Sequence, residues 1–151
     1  NDSENDWPVI RYADVLLMLA EAQGNSASSI ALINQIRARA GVPALVAASI
    51  STSAQFETAL ANERRWEFAF ENQRWYDLLR FNTTFTTIRS TQVMNNHFAV
   101  MYTVHYGLYP APRLTLLEMQ AFVTNDRMLL PIPHREIDNN TQIVIKQNPG
   151  Y

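Results

Sequence analysis

Several residue types and patterns that often indicate a function are missing from this sequence. No cysteine occurs among the 151 residues, so disulfides, thiolate metal ligands and thiol catalysis are excluded. Apolar residues make up 47% of the chain, yet no apolar run is long enough for a membrane-spanning helix. Basic runs are absent and the net charge is -2, which gives no reason to expect nucleic acid or a charged membrane surface as a partner.

The chain starts with the polar segment NDSENDWP, which has neither an initiator methionine nor the pattern of a signal peptide. Its length is that of about one domain, and it suffices to bury a hydrophobic core. We therefore expect residues 1–151 to form one domain that was cut or processed from a longer protein.

The first forty residues predict two helices, Val9–Gln23 and Ser26–Ala40. Gly24 suits the end of the first helix, and the short link after it requires the two helices to run antiparallel. Arg11 and Asp14 lie three residues apart on the first helix, close enough to pair on its surface. A helix pair of roughly 34 residues with alanines inside is similar to a tetratricopeptide repeat.

A third, longer helix is predicted to cover Asn62–Phe81 and to start as early as Ser51 or Ser53, either of which suits an N-cap. No Gly or Pro occurs between Ala44 and Tyr106, so no helix breaker interrupts this stretch. We expect one continuous helix here.

The remaining third of the chain has a different pattern. Threonine-rich sequence follows Phe81, and β-branched and aromatic residues indicate a strand or extended loop around Phe98–Val104. The segment TLLEMQAF predicts a short helix, whereas the proline-containing segment after it favours extended coil. The predicted fold is thus mainly α: an antiparallel helix pair, a long third helix and an irregular, mostly coil tail.

Four segments carry a resemblance to a known family: IRYADVLLMLAEA, LINQIRARAGVP, NERRWEFAFENQRWYDLLRF and LLPIPHREIDNNTQIVIKQNPGY. In this order they resemble the C-terminal region of the SusD/RagB family, and they cover roughly half of the chain. One departure is Asn72, which stands where the family often has glycine. The resemblance implies the C-terminal part of the SusD-like α-α superhelical fold.

The same resemblance implies a function. SusD/RagB proteins are surface-exposed lipoproteins of the outer membrane that bind glycans or other nutrients and sit on a TonB-dependent, SusC-like transporter. They bind and do not catalyse. The resemblance also implies a longer helical N-terminal part and a lipid-modified cysteine at the mature N-terminus, outside the present sequence. A second hypothesis is a tetratricopeptide-like interaction module that docks on the transporter.

The segment NERRWEFAFENQRWYDLLRF places several charged side chains on one helix face at spacings of three and four. Glu67 and Glu71 could form a carboxylate pair for acid–base chemistry or metal binding, which is the basis of a third hypothesis, a hydrolase. No Glu-x-x-His pattern accompanies them, so we favour neutralisation by arginines and expect no catalytic residue, metal ligand or cofactor. The predicted structural charge network consists of Arg37, Arg64, Glu67, Glu71 and Arg74, with Arg39 as a further candidate.

Ligand-binding residues are predicted in the least regular part of the chain, because binding residues gather on loops held by a rigid scaffold. Sugars stack their apolar ring faces on aromatic side chains and bind amides through their hydroxyl groups. The alternative is that these tyrosines only pack the tail onto the helices. The candidates are Tyr102, Tyr106, Tyr109, Asn96 and His97.

Overall fold

The computed structural model describes residues 9–111 and 113–151. These residues form seven α-helices and three short 3-10 turns, and no strand occurs among them. The mainly α fold class is therefore confirmed. The chain divides into two compact units, the first ending at Thr87 and the second running from Ile88 to Tyr151. The prediction of one domain over residues 1–151 stays a prediction.

The first unit begins with the predicted helix pair, α1 (Tyr12–Gln23) and α2 (Ala27–Arg39). Gly24 ends α1 with a φ of 66°, a left-handed conformation that glycine adopts without steric cost. Ser26 then caps α2 by accepting a hydrogen bond from the Ser29 amide, at 3.1 Å. The link is three residues long, so the two helices pack together as an antiparallel pair.

The core of the first unit lies between α1, α2 and the next two helices, α3 (Ser53–Glu67) and α4 (Arg74–Thr84). Thr52 and Gln55 form a capping box at the start of α3, where Ser51 or Ser53 had been expected as the cap. Each helix contributes side chains with less than a tenth of their surface exposed. The largest apolar ones are Leu17, Ile33, Phe56, Leu60, Leu78 and Phe81.

The prediction of one continuous third helix is wrong, because α3 ends at Glu67 and a separate helix, α4, begins at Arg74. Phe70 and Asn72 have φ values of 68° and 60°, in the left-handed region that helices exclude. Tertiary contacts maintain the break: Arg11 on α1 donates to the Glu67 carbonyl at 2.7 Å, which caps the end of α3. Asparagine tolerates this conformation better than most residues with a Cβ, which suits Asn72 to its position in the break.

The second unit contains α5 (Ser90–Met101), α6 (Leu116–Ala121) and α7 (His134–Asp138). The short helix predicted for TLLEMQAF is confirmed as α6, which packs against α5. The strand or extended loop expected around Phe98–Val104 is wrong, because the chain is helical through Met101. The preference of its β-branched and aromatic residues for strands is weak and depends on context, so packing overrides it. Residues 129–133 and 140–151 form the predicted irregular tail.

Candidate functional site

Glu67 and Glu71, the two candidate catalytic carboxylates, are both bound by Arg11 on α1. Arg11 Nε and Nη2 donate to the two Glu71 carboxylate oxygens at 2.8 and 2.7 Å, and its Nη1 donates to Glu67 Oε1 at 2.5 Å. Arg39 at the end of α2 donates to both oxygens of Glu67, also at 2.5 Å. Charge-assisted hydrogen bonds therefore tie the carboxylates to arginines at the start of α1 and at the end of α2.

These contacts shift the pKa values of Arg11 and Glu67. The hydrogen bond to Glu71 is the largest cause that raises the pKa of Arg11 above its ordinary value. For Glu67, burial by itself raises the pKa, but the hydrogen bonds and charges of Arg39 and Arg11 outweigh it and lower the pKa below its ordinary value. Glu67 is thus kept ionised, a poor state for a general acid.

A second ion-pair group lies deeper in the same unit. Arg64 on α3 is 4% exposed and donates to Asp14 at 2.7 Å and to both oxygens of Asp77 at 2.9 Å. Arg80 extends the group by donating to Asp77 at 3.1 Å and to Glu21. Buried charges of this kind persist because each finds an opposite charge and a hydrogen bond.

The predicted charge network thus differs from the observed pairing. Among the described residues, neither Arg37, Arg64 nor Arg74 pairs with Glu67 or Glu71. Arg37 donates to Glu63 at 2.7 Å, and the Nη1 of Arg74 is buried without a hydrogen-bond partner in the described part of the chain.

Arg11 was missed as the partner of the two glutamates, and its expected pairing with Asp14 is replaced by contacts 56 and 60 residues away. Helix spacing indicates only neighbours on one helix, so it gives no signal for such pairs.

Glu57 on α3 is a further buried carboxylate that the sequence did not single out. It accepts hydrogen bonds from the backbone amides and hydroxyls of Thr86 and Thr87, at 2.5–2.9 Å. Burial raises its pKa, but the bonds from Thr87 and Thr86 outweigh burial, so the net pKa lies below the ordinary value. Glu57 therefore anchors the end of the first unit.

A cleft with a volume of about 570 Å³ lies beside this anchor. Met18, Phe56 and Phe85 supply apolar walls, while the Glu21–Arg80 pair supplies charge. Apolar walls with a few convergent polar groups are typical of small-molecule sites. Local sequence patterns carry no signal for this cleft, because its walls come from α1, α3, α4 and the segments that flank them.

The predicted ligand-binding residues lie together in the second unit, on and after α5. His105 connects two of them: its ring centroid lies 5.5 Å from that of Tyr106 and 6.1 Å from that of Tyr109. Tyr106 also packs edge-on against Phe98, with centroids 5.7 Å apart. The Tyr102 hydroxyl donates to the Leu114 carbonyl at 3.0 Å, so it fixes a loop.

Asn96 and His97 are exposed on α5, and His97 lies beside Phe98, with ring centroids 5.9 Å apart. Tyr109 is 55% exposed. Its ring presents a free apolar surface of the kind on which a sugar ring stacks, whereas Tyr102 and Tyr106 are half-buried. Of the three predicted tyrosines, Tyr109 is therefore the most accessible to a ligand.

The described residues 9–111 and 113–151 contain neither a metal-binding cluster nor a membrane-spanning helix. No group of three or more His, Asp or Glu side chains in these ranges could hold a metal ion. None of the helices in the described part of the chain has both the length and the apolar character needed to cross a membrane.

Comparisons with known proteins identify the family. The SusD family matches residues 1–151. SusD-like protein P2 of Formosa agariphila is 30% identical over 159 aligned positions, which cover 99% of this chain and 27% of that protein. SusD-like protein P38 of the same organism is 36% identical over 83 positions, or 49% of this chain and 16% of that protein. The chain thus spans about a quarter or less of the length of these relatives. No solved structure matches it significantly. The chain belongs to the SusD family.

Proposed function

We propose that this chain is part of a nutrient-binding component of an outer-membrane uptake system, with a glycan as the ligand class. The match to the SusD family over residues 1–151 is the observation that carries the proposal. In this proposal the protein is held at the cell surface by a lipid anchor outside the present sequence. It delivers its ligand to a TonB-dependent, SusC-like transporter.

The proposed role is binding without catalysis. A glycosidase needs two carboxylates that face an open cleft, one of them protonated. Glu67 and Glu71 are instead held by Arg11 and Arg39. This pairing favours a structural role for Glu67 and Glu71, the two candidate catalytic carboxylates.

The proposed contact surface for the glycan is the aromatic cluster of the second unit, which consists of Phe98, His105, Tyr106 and Tyr109. Tyr109 is the proposed stacking residue. Its ring is exposed and is supported from the side by His105, so it loses little side-chain freedom when a ligand binds. Asn96 and His97 would supply polar groups for the sugar hydroxyls. The proposal extends to Tyr102 and Tyr106 as supports of this surface.

The test is glycan binding by the full-length protein, screened on an array and then measured by isothermal titration calorimetry. Tyr109→Ala should weaken binding of the best glycan at least tenfold, or about 1.4 kcal/mol. Tyr109→Phe keeps the ring and should bind nearly as well as wild type. Tyr76→Ala is a matched control, because Tyr76 is 62% exposed in the first unit. Equal affinities for all variants would refute this surface, whereas hydrolysis of the glycan would refute the absence of catalysis.

A docking role for the helix pair is the second candidate, and the exposed face of α1 favours it. Tyr12, Val15 and Leu19 lie on one helix face and are 72, 45 and 45% exposed. A row of exposed apolar side chains is typical of a protein-binding surface. In co-purification with the transporter, Val15→Asp should reduce recovery, whereas Val100→Asp, at an exposed position of the second unit, should not.

A further inference from the structure

A pocket of about 380 Å³ opens at the break between α3 and α4. Its walls include the residues Arg64, Arg65 and Arg74, together with Phe70 and Trp75. No acidic side chain lines it among the described residues. The pocket therefore concentrates positive charge beside aromatic surface, in contrast to the ion-paired groups elsewhere in the same unit.

The three arginines differ in how far they are neutralised. Arg64 binds Asp14 and Asp77. Arg65 and Arg74 form no ion pair in the described part of the chain, and the buried Nη1 of Arg74 lacks any hydrogen-bond partner there. Burial, and then the nearby charge of Arg65, lowers the pKa of Arg74, while the charge of Asp77 acts in the opposite direction and is outweighed. An unpaired, partly buried guanidinium is costly, so an anion in the pocket would relieve a real electrostatic penalty.

The wall of this pocket is also the strained part of the backbone. Phe70 and Asn72, the two non-glycine residues with positive φ in the described part of the chain, both line it. Phe70 leaves its ring fully exposed, although a large aromatic residue is usually buried. Strained backbone persists only where the surrounding structure fixes it, and it gathers at ligand sites.

We propose that this pocket binds an oxyanion, either a carboxylate or a sulfate group, through Arg74 and Arg65. A planar guanidinium donates two parallel hydrogen bonds to such a group, which gives both strength and orientation. Trp75 and Phe70 would cover the apolar part of a molecule that carries the anion. This site is separate from the aromatic cluster around Tyr109 and does not depend on the proposed glycan function.

Two probes test the proposal on the full-length protein: sodium sulfate, and sodium glucuronate with glucose as its neutral control. Binding is measured by isothermal titration calorimetry at constant ionic strength, with chloride as the balancing salt. We expect sulfate or glucuronate to bind and glucose not to bind. Tighter binding of glucuronate indicates a sugar acid as the natural source, and tighter binding of sulfate indicates a sulfate group.

Arg74→Gln should lower the affinity for the bound probe at least tenfold, and Arg65→Gln should lower it less. Arg135→Gln removes one positive charge from an exposed position on α7 and should leave the affinity unchanged. If Arg74→Gln does not fold, Arg74→Lys keeps the charge, loses the paired hydrogen bonds and should still weaken binding. Failure of both anions to bind wild type, or equal loss of affinity in Arg135→Gln, would overturn the proposal.

Discussion

The two compact units bury their side chains to very different extents. The first unit has a dense core in which Leu17, Ile33 and Leu60 are fully inaccessible to solvent. In the second unit, the buried side chains among residues 88–111 and 113–151 are those of Ser90 and Met128. The first unit therefore has the properties of a scaffold, whereas the second exposes aromatic and aliphatic side chains that are available for contacts.

The two units also differ in how they use charge. The ion pairs Arg11–Glu67, Arg64–Asp77 and Arg80–Glu21 all lie in the first unit. Removal of one partner there leaves the other charge unpaired in a site that is partly shielded from water. In the second unit the arginines lie on the surface, where ion pairs contribute little. The following four experiments test this contrast, beginning with the largest expected effect.

Arg64→Ala should cost about 3–5 kcal/mol of folding free energy, because Asp14 and Asp77 lose their shared buried partner. Urea unfolding monitored by circular dichroism measures the change. Arg65→Ala is the matched control, since Arg65 is the next residue on α3 and is exposed. It should change stability by less than about 0.5 kcal/mol. Similar losses in both variants would show that the buried ion pairs are not what distinguishes the first unit.

Leu60→Ala should cost about 2–5 kcal/mol, since it leaves a cavity at a fully buried position of the first unit. Leu117→Ala makes the same chemical change at a position that is 78% exposed on α6. It should be nearly neutral in the same urea titration. A large loss at Leu117 would mean that the second unit covers this surface in solution.

Acid should destabilise the first unit through Glu57 and Glu67, whose pKa values lie below the ordinary 4.5 in the folded chain. Between the lowered pKa values and 4.5 the unfolded chain binds more protons than the folded chain. The resulting stability is present above pH 4.5 and is lost as the pH falls through the folded pKa values. Each carboxylate contributes a slope of at most about 1.4 kcal/mol per pH unit.

Thermal melts between pH 3 and pH 7 measure this dependence. Glu57→Gln removes one titrating group and should flatten the curve below pH 4.5. Glu118→Gln is the control in the second unit: Thr115 hydrogen bonds lower the pKa of Glu118 too, but it is fully exposed. An unchanged slope in Glu57→Gln would contradict the assignment.

Asn72→Ala should cost about 1 kcal/mol of folding free energy. Most residues with a Cβ pay roughly 1–2 kcal/mol in the left-handed conformation, whereas asparagine pays less. Asn72→Gly should be neutral or slightly stabilising. Gln73→Ala is the neighbouring control, since Gln73 has a right-handed helical φ of -85°. A loss at Gln73 as large as that at Asn72 would show that backbone strain is not the cause.

Much of the fold was predictable from local signals. Gly24 and the capping residue Ser26 define the boundary between α1 and α2, and the short link dictates an antiparallel pair. Helical periodicity predicts an inward face of Ile30, Ile33, Ile36 and Ala40; the three isoleucines are buried, whereas Ala40, just past the end of α2, is exposed. The family resemblance was also carried by the sequence alone and is confirmed by the match over residues 1–151.

Tertiary structure decided the features that join distant parts of the chain. The third helix breaks between Glu67 and Arg74 although no Gly or Pro occurs between Ala44 and Tyr106, because Arg11 caps α3 from another helix. The partners of Glu67 and Glu71 were likewise set by packing, since helix spacing predicts neighbours within one helix and cannot rank arginines some 60 residues away.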